Sequence, residues 1–132
     1  MRQPAAKAGD RIRATDTHVV LVPVGTVLVP IPLLHQFDGI IDGGLSSNVR
    51  IMGCAAATVD SVAGNKPSHI PTQPGTRFQK PPANKGTIAV GSSSVRINGK
   101  PAARNADVAV TCNDPADAPV GRVVADGSVR IG

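Results

Sequence analysis

The sequence predicts an all-β protein made of short strands and hairpins, and its composition supports this fold class in three ways. Gly and Pro account for 14 and 12 of the 132 residues, well above their usual combined share of about 12%. The apolar content comes mainly from 17 Val, 17 Ala and 9 Ile, with two Phe and neither Trp nor Tyr. β-Branched residues between frequent turn formers favour many short strands over long helices.

The length of the chain fits a single domain, which we expect to span residues 1–132 without a second catalytic module. The first ten residues lack the apolar segment of a secretion signal, so we expect synthesis in the cytoplasm and export by another route. The formal net charge is +5, but Lys and Arg occur singly rather than in runs. Because aromatic side chains that stack on bases are also scarce, the sequence argues against nucleic acid as a partner.

The longest uncharged apolar stretch runs from Val19 to Leu34. Gly25 and three prolines interrupt it, and it is shorter than the roughly 20 residues of a membrane-spanning helix. We therefore expect strands that are buried or face a partner. An apolar surface of this size is a candidate docking base, together with the edges of the repeats described next.

A short phrase occurs three times in the chain, at residues 48–53 (NVRIMG), 94–99 (SVRING) and 128–132 (SVRIG). Each copy alternates apolar and charged residues, which is the period of a half-buried strand. Asn-Gly in the second copy is typical of a two-residue hairpin turn. We therefore expect each copy to begin a hairpin. The outward arginines should ring the molecule, serving solubility or contact with a partner; they are Arg50, Arg96 and Arg130.

The second half of each hairpin is rich in small residues, and one repeat is divided between the two ends of the chain. Residues 2–10 match residues 100–107, with Pro4 against Pro101. The repeats thus lie at 48–69, at 94–112 and, in the split copy, at 1–18 and 128–132. We expect the C-terminal strand to pair with the N-terminal segment and to close three hairpins into a pseudo-threefold ring, which would also protect strand edges.

An aspartate follows each hairpin, namely Asp10, Asp60 and Asp107. Their similar place in the three repeats indicates turn capping rather than acid/base chemistry. The serines at 92–94 have no Gly-x-Ser-x-Gly elbow that would expose a nucleophile. We therefore predict no catalytic residues.

One metal-binding type of side chain follows each of these aspartates: His18, His69 and Cys112 lie eight, nine and five residues later. Under threefold symmetry the three side chains converge on the axis. His35, in the connection between the first two repeats, is the expected fourth ligand. Three imidazoles and one thiolate form a closed tetrahedral zinc site of the structural kind. The sequence therefore predicts one structural zinc ion.

Together these features resemble the PAAR-repeat family, the tip proteins of contractile injection machines related to phage tails. The match rests on residues 97–104 (INGKPAAR) followed by Asp107, on degenerate copies at 55–60 and 4–10, and on residues 109–114 (AVTCND). It covers essentially the whole chain.

The resemblance implies a small pseudo-threefold β-cone whose base sits on a trimeric β-helical spike, one tip per trimer. It also implies a zinc ion near the vertex, bound by His18, His35, His69 and Cys112. A tip of this kind is structural rather than enzymatic. It belongs to the injection particle and is driven outward through a target membrane on contraction, and any effector would be a separate chain.

Two other functions remain as alternatives. A small zinc hydrolase would replace one ligand with water, but all nine acidic residues are Asp, so no Glu is available as a general base. A basic nucleic-acid-binding β-barrel is the weaker alternative.

Cys54 aligns with Lys100, away from the ligand positions, and is interpreted as a small buried or edge residue. A disulfide between Cys54 and Cys112 is a further alternative that would remove the thiolate ligand.

Overall fold

The computed structural model describes residues 2–132 as an all-β protein, which confirms the predicted fold class. These residues contain no helix, and so none that is long and apolar enough to cross a membrane. In chain order the strands are β1 (Gln3–Pro4), β2 (Arg11–Val24), β3 (Val27–Gly43), β4 (Arg50–Ile51), β5 (Cys54–Ala55), β6 (Val62–Asn65), β7 (Arg77–Phe78), β8 (Lys85–Ile88), β9 (Arg96–Ile97), β10 (Lys100–Pro101), β11 (Val108–Thr111), β12 (Ala118–Val124) and β13 (Arg130–Ile131).

Six of these strands form a closed antiparallel barrel. The order is β2, β3, β6, β8, β11 and β12, and the pairing of Val123 with Ile12 returns β12 to β2. β7 pairs with the edge of β2 opposite β3, further along the strand than β12, and places Phe78 opposite Val20. Closure leaves no free edge among the six barrel strands where they pair.

The three copies of the repeated phrase form three short two-stranded ladders: β1 with β13, β4 with β5, and β9 with β10. Gln3 pairs with Ile131, which confirms that the C-terminal strand closes on the N-terminal segment. Arg50, Arg96 and Arg130 are all exposed, as expected. The first two donate hydrogen bonds to carbonyls of their own hairpin turns, at 3.1 and 3.0 Å.

Three alanines join the repeats through a cycle of backbone hydrogen bonds, here called the alanine ring (Ala6, Ala57 and Ala103). Ala6 N donates to Ala103 O at 2.9 Å, and Ala103 N donates to Ala57 O at 3.0 Å. Ala57 N completes the cycle by donating to Ala6 O at 3.1 Å. All three residues are fully buried, so the ring requires small side chains.

The turn after each hairpin has the same backbone geometry in all three repeats. Gly9, Asp60 and Ala106 have positive φ angles of 92°, 77° and 71°. The residue after each of them accepts a hydrogen bond from a backbone N–H three residues earlier. The acceptors are Asp10, Ser61 and Asp107, at 3.0, 3.0 and 2.7 Å from Lys7 N, Thr58 N and Arg104 N.

The turn-capping interpretation is therefore confirmed for Asp10 and Asp107 and wrong for Asp60. Ser61 caps the second turn, because the true register places Asp60 at the positive-φ position one residue earlier. The Asp60 carboxylate is 66% exposed and lies 3.5 Å from Lys100 Nζ.

Three glycines occupy matching positions in the barrel, and two of them make room for one aromatic ring. They are Gly39 on β3, Gly86 on β8 and Gly121 on β12, and each lies two residues before a buried Ile or Val. A Cβ on Gly39 would lie 3.1 Å from the Phe37 ring, and one on Gly86 would lie 3.2 Å from it. Phe37, which is 1% exposed, fills this space.

β2 and β3 continue past the barrel as a long hairpin. Its far end is the two-residue turn Gly25-Thr26, flanked by the pair Val24 and Val27. These two valines are 54% and 58% exposed. We call residues 19–34 the apolar hairpin. The predicted strands are confirmed, but only a minority of the side chains are buried, and contact with a partner stays a prediction.

Candidate metal centre

Four buried side chains meet at the end of the barrel from which the apolar hairpin projects. They are Asp16, His18, His69 and Cys112, and one ligand atom from each lies within 4.8 Å of all the others. Their oxygen, nitrogen and sulfur donors could hold a metal ion. The cluster combines three of the residues predicted as ligands with one that sequence reasoning missed.

Strand alternation explains how two of these side chains come together. Asp16 and His18 lie two residues apart on β2, on the face that also buries Ile12. Cys112 directly follows β11, where its backbone N–H donates to Lys85 O at 3.2 Å. His69 comes from the loop after β6.

Four of the six ligand-atom distances within the cluster lie near those around a small tetrahedral ion. Asp16 Oδ2 lies 3.0 Å from His69 Nε2, 3.6 Å from Cys112 Sγ and 4.0 Å from His18 Nε2. Cys112 Sγ lies 3.6 Å from His18 Nε2. Zinc bonds of typical length place tetrahedral ligand atoms about 3.3 to 3.8 Å apart. Small side-chain movements would therefore complete a coordination sphere.

A second layer of polar groups orients the Asp16 carboxylate. Thr111 Oγ1 donates to Asp16 Oδ1 at 2.5 Å, which leaves Oδ2 facing the histidines and the cysteine. Asn113 Nδ2 approaches the same Oδ1 at 3.5 Å. Such outer contacts are usual around metal ligands, because they fix the ligand's orientation.

The imidazole of His18 also faces a second carboxylate. Its Nδ1 atom is buried and has no hydrogen-bond partner among residues 2–132, but it lies 3.6 Å from Asp114 Oδ2. Asp114 is held in place by the backbone N–H of Val19, at 2.9 Å. This geometry suits an imidazole that binds a metal through Nε2 and directs its Nδ1 proton at a carboxylate.

His69 is held through both its backbone and its ring. Its N–H donates to Asn84 Oδ1 at 2.8 Å, and Asn65 Nδ2 donates to its Nδ1 at 3.2 Å. In this arrangement the ring proton lies on Nε2 and is donated to Asp16. A metal bound at Nε2 would replace that proton.

Burial sets the protonation of the cluster. Desolvation lowers the pKa of His18, with the neighbouring His69 acting in the same direction. Neutral imidazole is the form that binds metal. Desolvation raises the pKa of the Cys112 thiol, so a metal must displace the thiol proton when it binds.

His35 lies beside the cluster rather than within it. Its Nδ1 donates to Leu33 O and its Nε2 accepts from Thr72 N, both at 3.0 Å. Its ring centre is 5.4 Å from that of His18 and 5.5 Å from that of His69. To become a ligand, His35 would have to give up one of its two hydrogen bonds. The prediction of His35 as the fourth ligand stays untested, and Asp16 is the alternative for that position.

Asp16 could have been found from the sequence by strand parity. It lies two residues before His18 and therefore on the same face of the strand. The corrected turn register also makes the two histidines equivalent, because His18 and His69 each lie eight residues after the capping residues Asp10 and Ser61.

Both cysteines are free thiols. Cys54 is half-buried in β5, where the sequence placed it as a small edge residue, and the alternative of a disulfide with Cys112 is wrong.

Comparisons of the chain with models of protein families, with curated proteins and with solved structures found no match.

Proposed function

We propose that the protein is a structural tip protein that binds one zinc ion and caps the trimeric β-helical spike of a contractile injection apparatus. In this role it sharpens the spike for piercing target membranes. The alanine ring carries the proposal, because a single chain that repeats one backbone contact three times can present three equivalent surfaces to a threefold partner.

The pattern extends outward from the alanine ring. Three isolated bridges connect neighbouring repeats: Ala5 with Arg104, Lys7 with Ala56, and Thr58 with Ala102. Outside them lie the three short ladders, each with one exposed arginine. This end of the molecule is therefore the proposed docking base. The apolar hairpin, which was the other candidate base, projects away from it.

The donor set supports zinc as the metal. Asp16, His18, His69 and Cys112 offer four ligands, and in a closed tetrahedral site no position is left for a substrate water. When bound, the ion would act as a structural cross-link between β2, the loop after β6 and the residue after β11. Such a link can contribute on the order of 10 kcal/mol to folding.

Zinc content of purified protein tests the metal site. We expect one zinc ion per chain in the wild type, no stable zinc in Cys112→Ser, and full occupancy in the matched control Cys54→Ser. Asp16→Asn should weaken zinc binding by about tenfold or more, whereas His35→Gln should keep it. Loss of zinc in His35→Gln with retention in Asp16→Asn would replace Asp16 by His35 in the ligand set, and wild-type protein without zinc would contradict the site.

Binding to a trimeric β-helical spike protein tests the proposed partner. Light scattering on the mixture should give a complex of one tip and three spike chains. The triple variant Arg50→Glu, Arg96→Glu, Arg130→Glu should bind more weakly, because its changes lie at the proposed base. Val27→Asp, at the far end of the apolar hairpin, should bind like the wild type. No complex with the wild type would contradict the proposal.

A further inference from the structure

We propose that the apolar hairpin inserts its end into one leaflet of an anionic lipid bilayer. The inference deepens the proposed function, on which it rests, by assigning membrane contact to one element. Three features of residues 19–34 carry it: the side chains, the strand edges and the surrounding charges.

The side chains of this segment are almost entirely apolar although many of them face solvent. Thr26 is the only polar side chain between residues 19 and 34, and there is no charge. Val24, Val27 and Leu28 are 54%, 58% and 43% exposed at the end of the hairpin. Strand edges in water-soluble proteins are commonly protected by charged side chains, especially Lys. This hairpin has no charge and carries prolines on its edges instead, a form of protection that is compatible with an apolar environment.

The edges of the hairpin lack many of the N–H groups that would be costly in a bilayer. On β2, Val19 and Leu21 direct their carbonyls outward, to Gln79 N at 3.0 Å and Thr76 N at 2.9 Å. Residues two apart point to the same side of a strand. Pro23 therefore occupies the next outward position, where it has no N–H to leave unsatisfied.

The same holds on β3. Leu34 directs its carbonyl outward, to Thr72 Oγ1 at 2.7 Å. Pro32 and Pro30 occupy the two preceding outward positions. Among the outward strand positions from Pro23 to Pro32, only Leu28 keeps an N–H, and the two turn residues Gly25 and Thr26 keep theirs. Because an unsatisfied N–H is expensive in hydrocarbon, these prolines lower the cost of insertion.

The projecting part fits one leaflet. β7 supports β2 only as far as Leu21, and Val22 is still buried. The free hairpin therefore consists of Pro23 and Val24, the turn, and Val27 and Leu28 on β3. At about 3.3 Å per residue this part extends roughly 7 to 10 Å. Half of a typical hydrocarbon core is about 15 Å thick. The hairpin can therefore enter a membrane without crossing it.

Charge at the base of the hairpin favours anionic lipid. Arg77 lies opposite Leu21 and is exposed, as is Lys80. Neither forms an ion pair among the residues that the structure describes. Two carboxylates lie near the same base: Asp117 lines a small depression with Lys80, and Asp114 accepts from Val19 N but is largely buried. Arg77, paired with Leu21, is therefore the exposed cation beside the hairpin. A cation near the membrane surface attracts anionic headgroups.

A single introduced tryptophan tests the inference, because the chain has none of its own. Val27→Trp places the reporter at the end of the hairpin, and Val90→Trp places it at another exposed valine (46%) outside the hairpin. The probes are vesicles of phosphatidylcholine with and without phosphatidylglycerol. We expect a blue shift and quenching by brominated lipid for Val27→Trp with anionic vesicles, a weaker response without phosphatidylglycerol, and no response for Val90→Trp.

A second variant removes the apolar end while leaving the core intact. Val27→Asp with Leu28→Asp should lower binding to anionic vesicles in flotation by about tenfold or more, because charged groups are costly in hydrocarbon. Circular dichroism should show unchanged strand content, since both positions are exposed.

Unshifted Val27→Trp emission with anionic vesicles would overturn the inference. So would a wild-type dimer in sedimentation that Leu28→Asp converts to monomer without any vesicle binding, since that result assigns the hairpin to a second copy of the chain. Spike binding is measured on the same samples. A variant that loses vesicles but keeps the spike separates this inference from the proposed docking function.

Discussion

Ser61 closes the second of the three equivalent turns with two hydrogen bonds. Its Oγ accepts from Thr58 N at 3.0 Å and donates to Gly44 O at 2.7 Å. The residue is fully buried. Water therefore cannot replace these bonds when the hydroxyl is removed, and the loss should appear in stability.

Ser61→Ala should lower the free energy of unfolding by about 1 to 3 kcal/mol. Asp60→Asn is the matched control and should change it by less than about 0.5 kcal/mol, because the carboxylate is exposed and an exposed ion pair contributes little. Asn also tolerates the positive φ at this position. Urea unfolding of both variants measures the difference. A larger loss for Asp60→Asn would mean that the charge of Asp60 stabilises the turn.

The two turn residues show which site details the sequence could predict. The repeat identified His18, His69 and Cys112, because these residue types are rare in the chain and one of them follows the turn in each repeat. It could not separate Asp60 from Ser61, since either residue can cap a turn and only the backbone angles fix a one-residue register. Asp16 was missed because an aspartate among polar neighbours has the sequence of a solvated strand face.

At the level of elements, the alanine ring gives three positions that should respond alike. Each member is fully buried and touches the other two repeats through its backbone. Added methyl groups have no free space there, so each repeat should suffer a similar strain.

Ala6→Val, Ala57→Val and Ala103→Val should each lower the free energy of unfolding by about 1 to 3 kcal/mol. Ala89→Val, at an exposed position next to β8, is the control and should have little effect. Chemical denaturation of the four proteins gives the comparison. Strongly unequal losses within the ring would contradict threefold equivalence of the repeats.

The three short ladders and the pairing of the chain ends could be predicted, because alternation and Asn-Gly turns are local signals. The barrel could not. β2 and β3 pair with each other over fourteen positions, and β2 also pairs with β12, which is distant in sequence. A local sequence pattern predicts neither the length of such a pairing nor its partner strands. The glycines that admit Phe37 are likewise recognisable only once the strands are assembled.

For the molecule as a whole, the proposed zinc ion should have the largest effect on stability. Chelation should lower the melting temperature of the wild type by more than about 10 °C, because a structural zinc contributes strongly to folding and few aromatic side chains fill the core. Cys112→Ser should melt at the lower temperature with or without chelator. Calorimetry measures both proteins, and an unchanged melting temperature in metal-free wild type would remove the stabilising role.

The alanine ring also determines how the molecule would respond to force. A hairpin under tension opens from its end, one hydrogen bond after another, so that each step needs little work. The ring has no end: its three bonds belong to three repeats, and β1 with β13 closes the chain itself. A force along the axis of the alanine ring would therefore load its three bonds in parallel, and all three would have to break before the repeats separate.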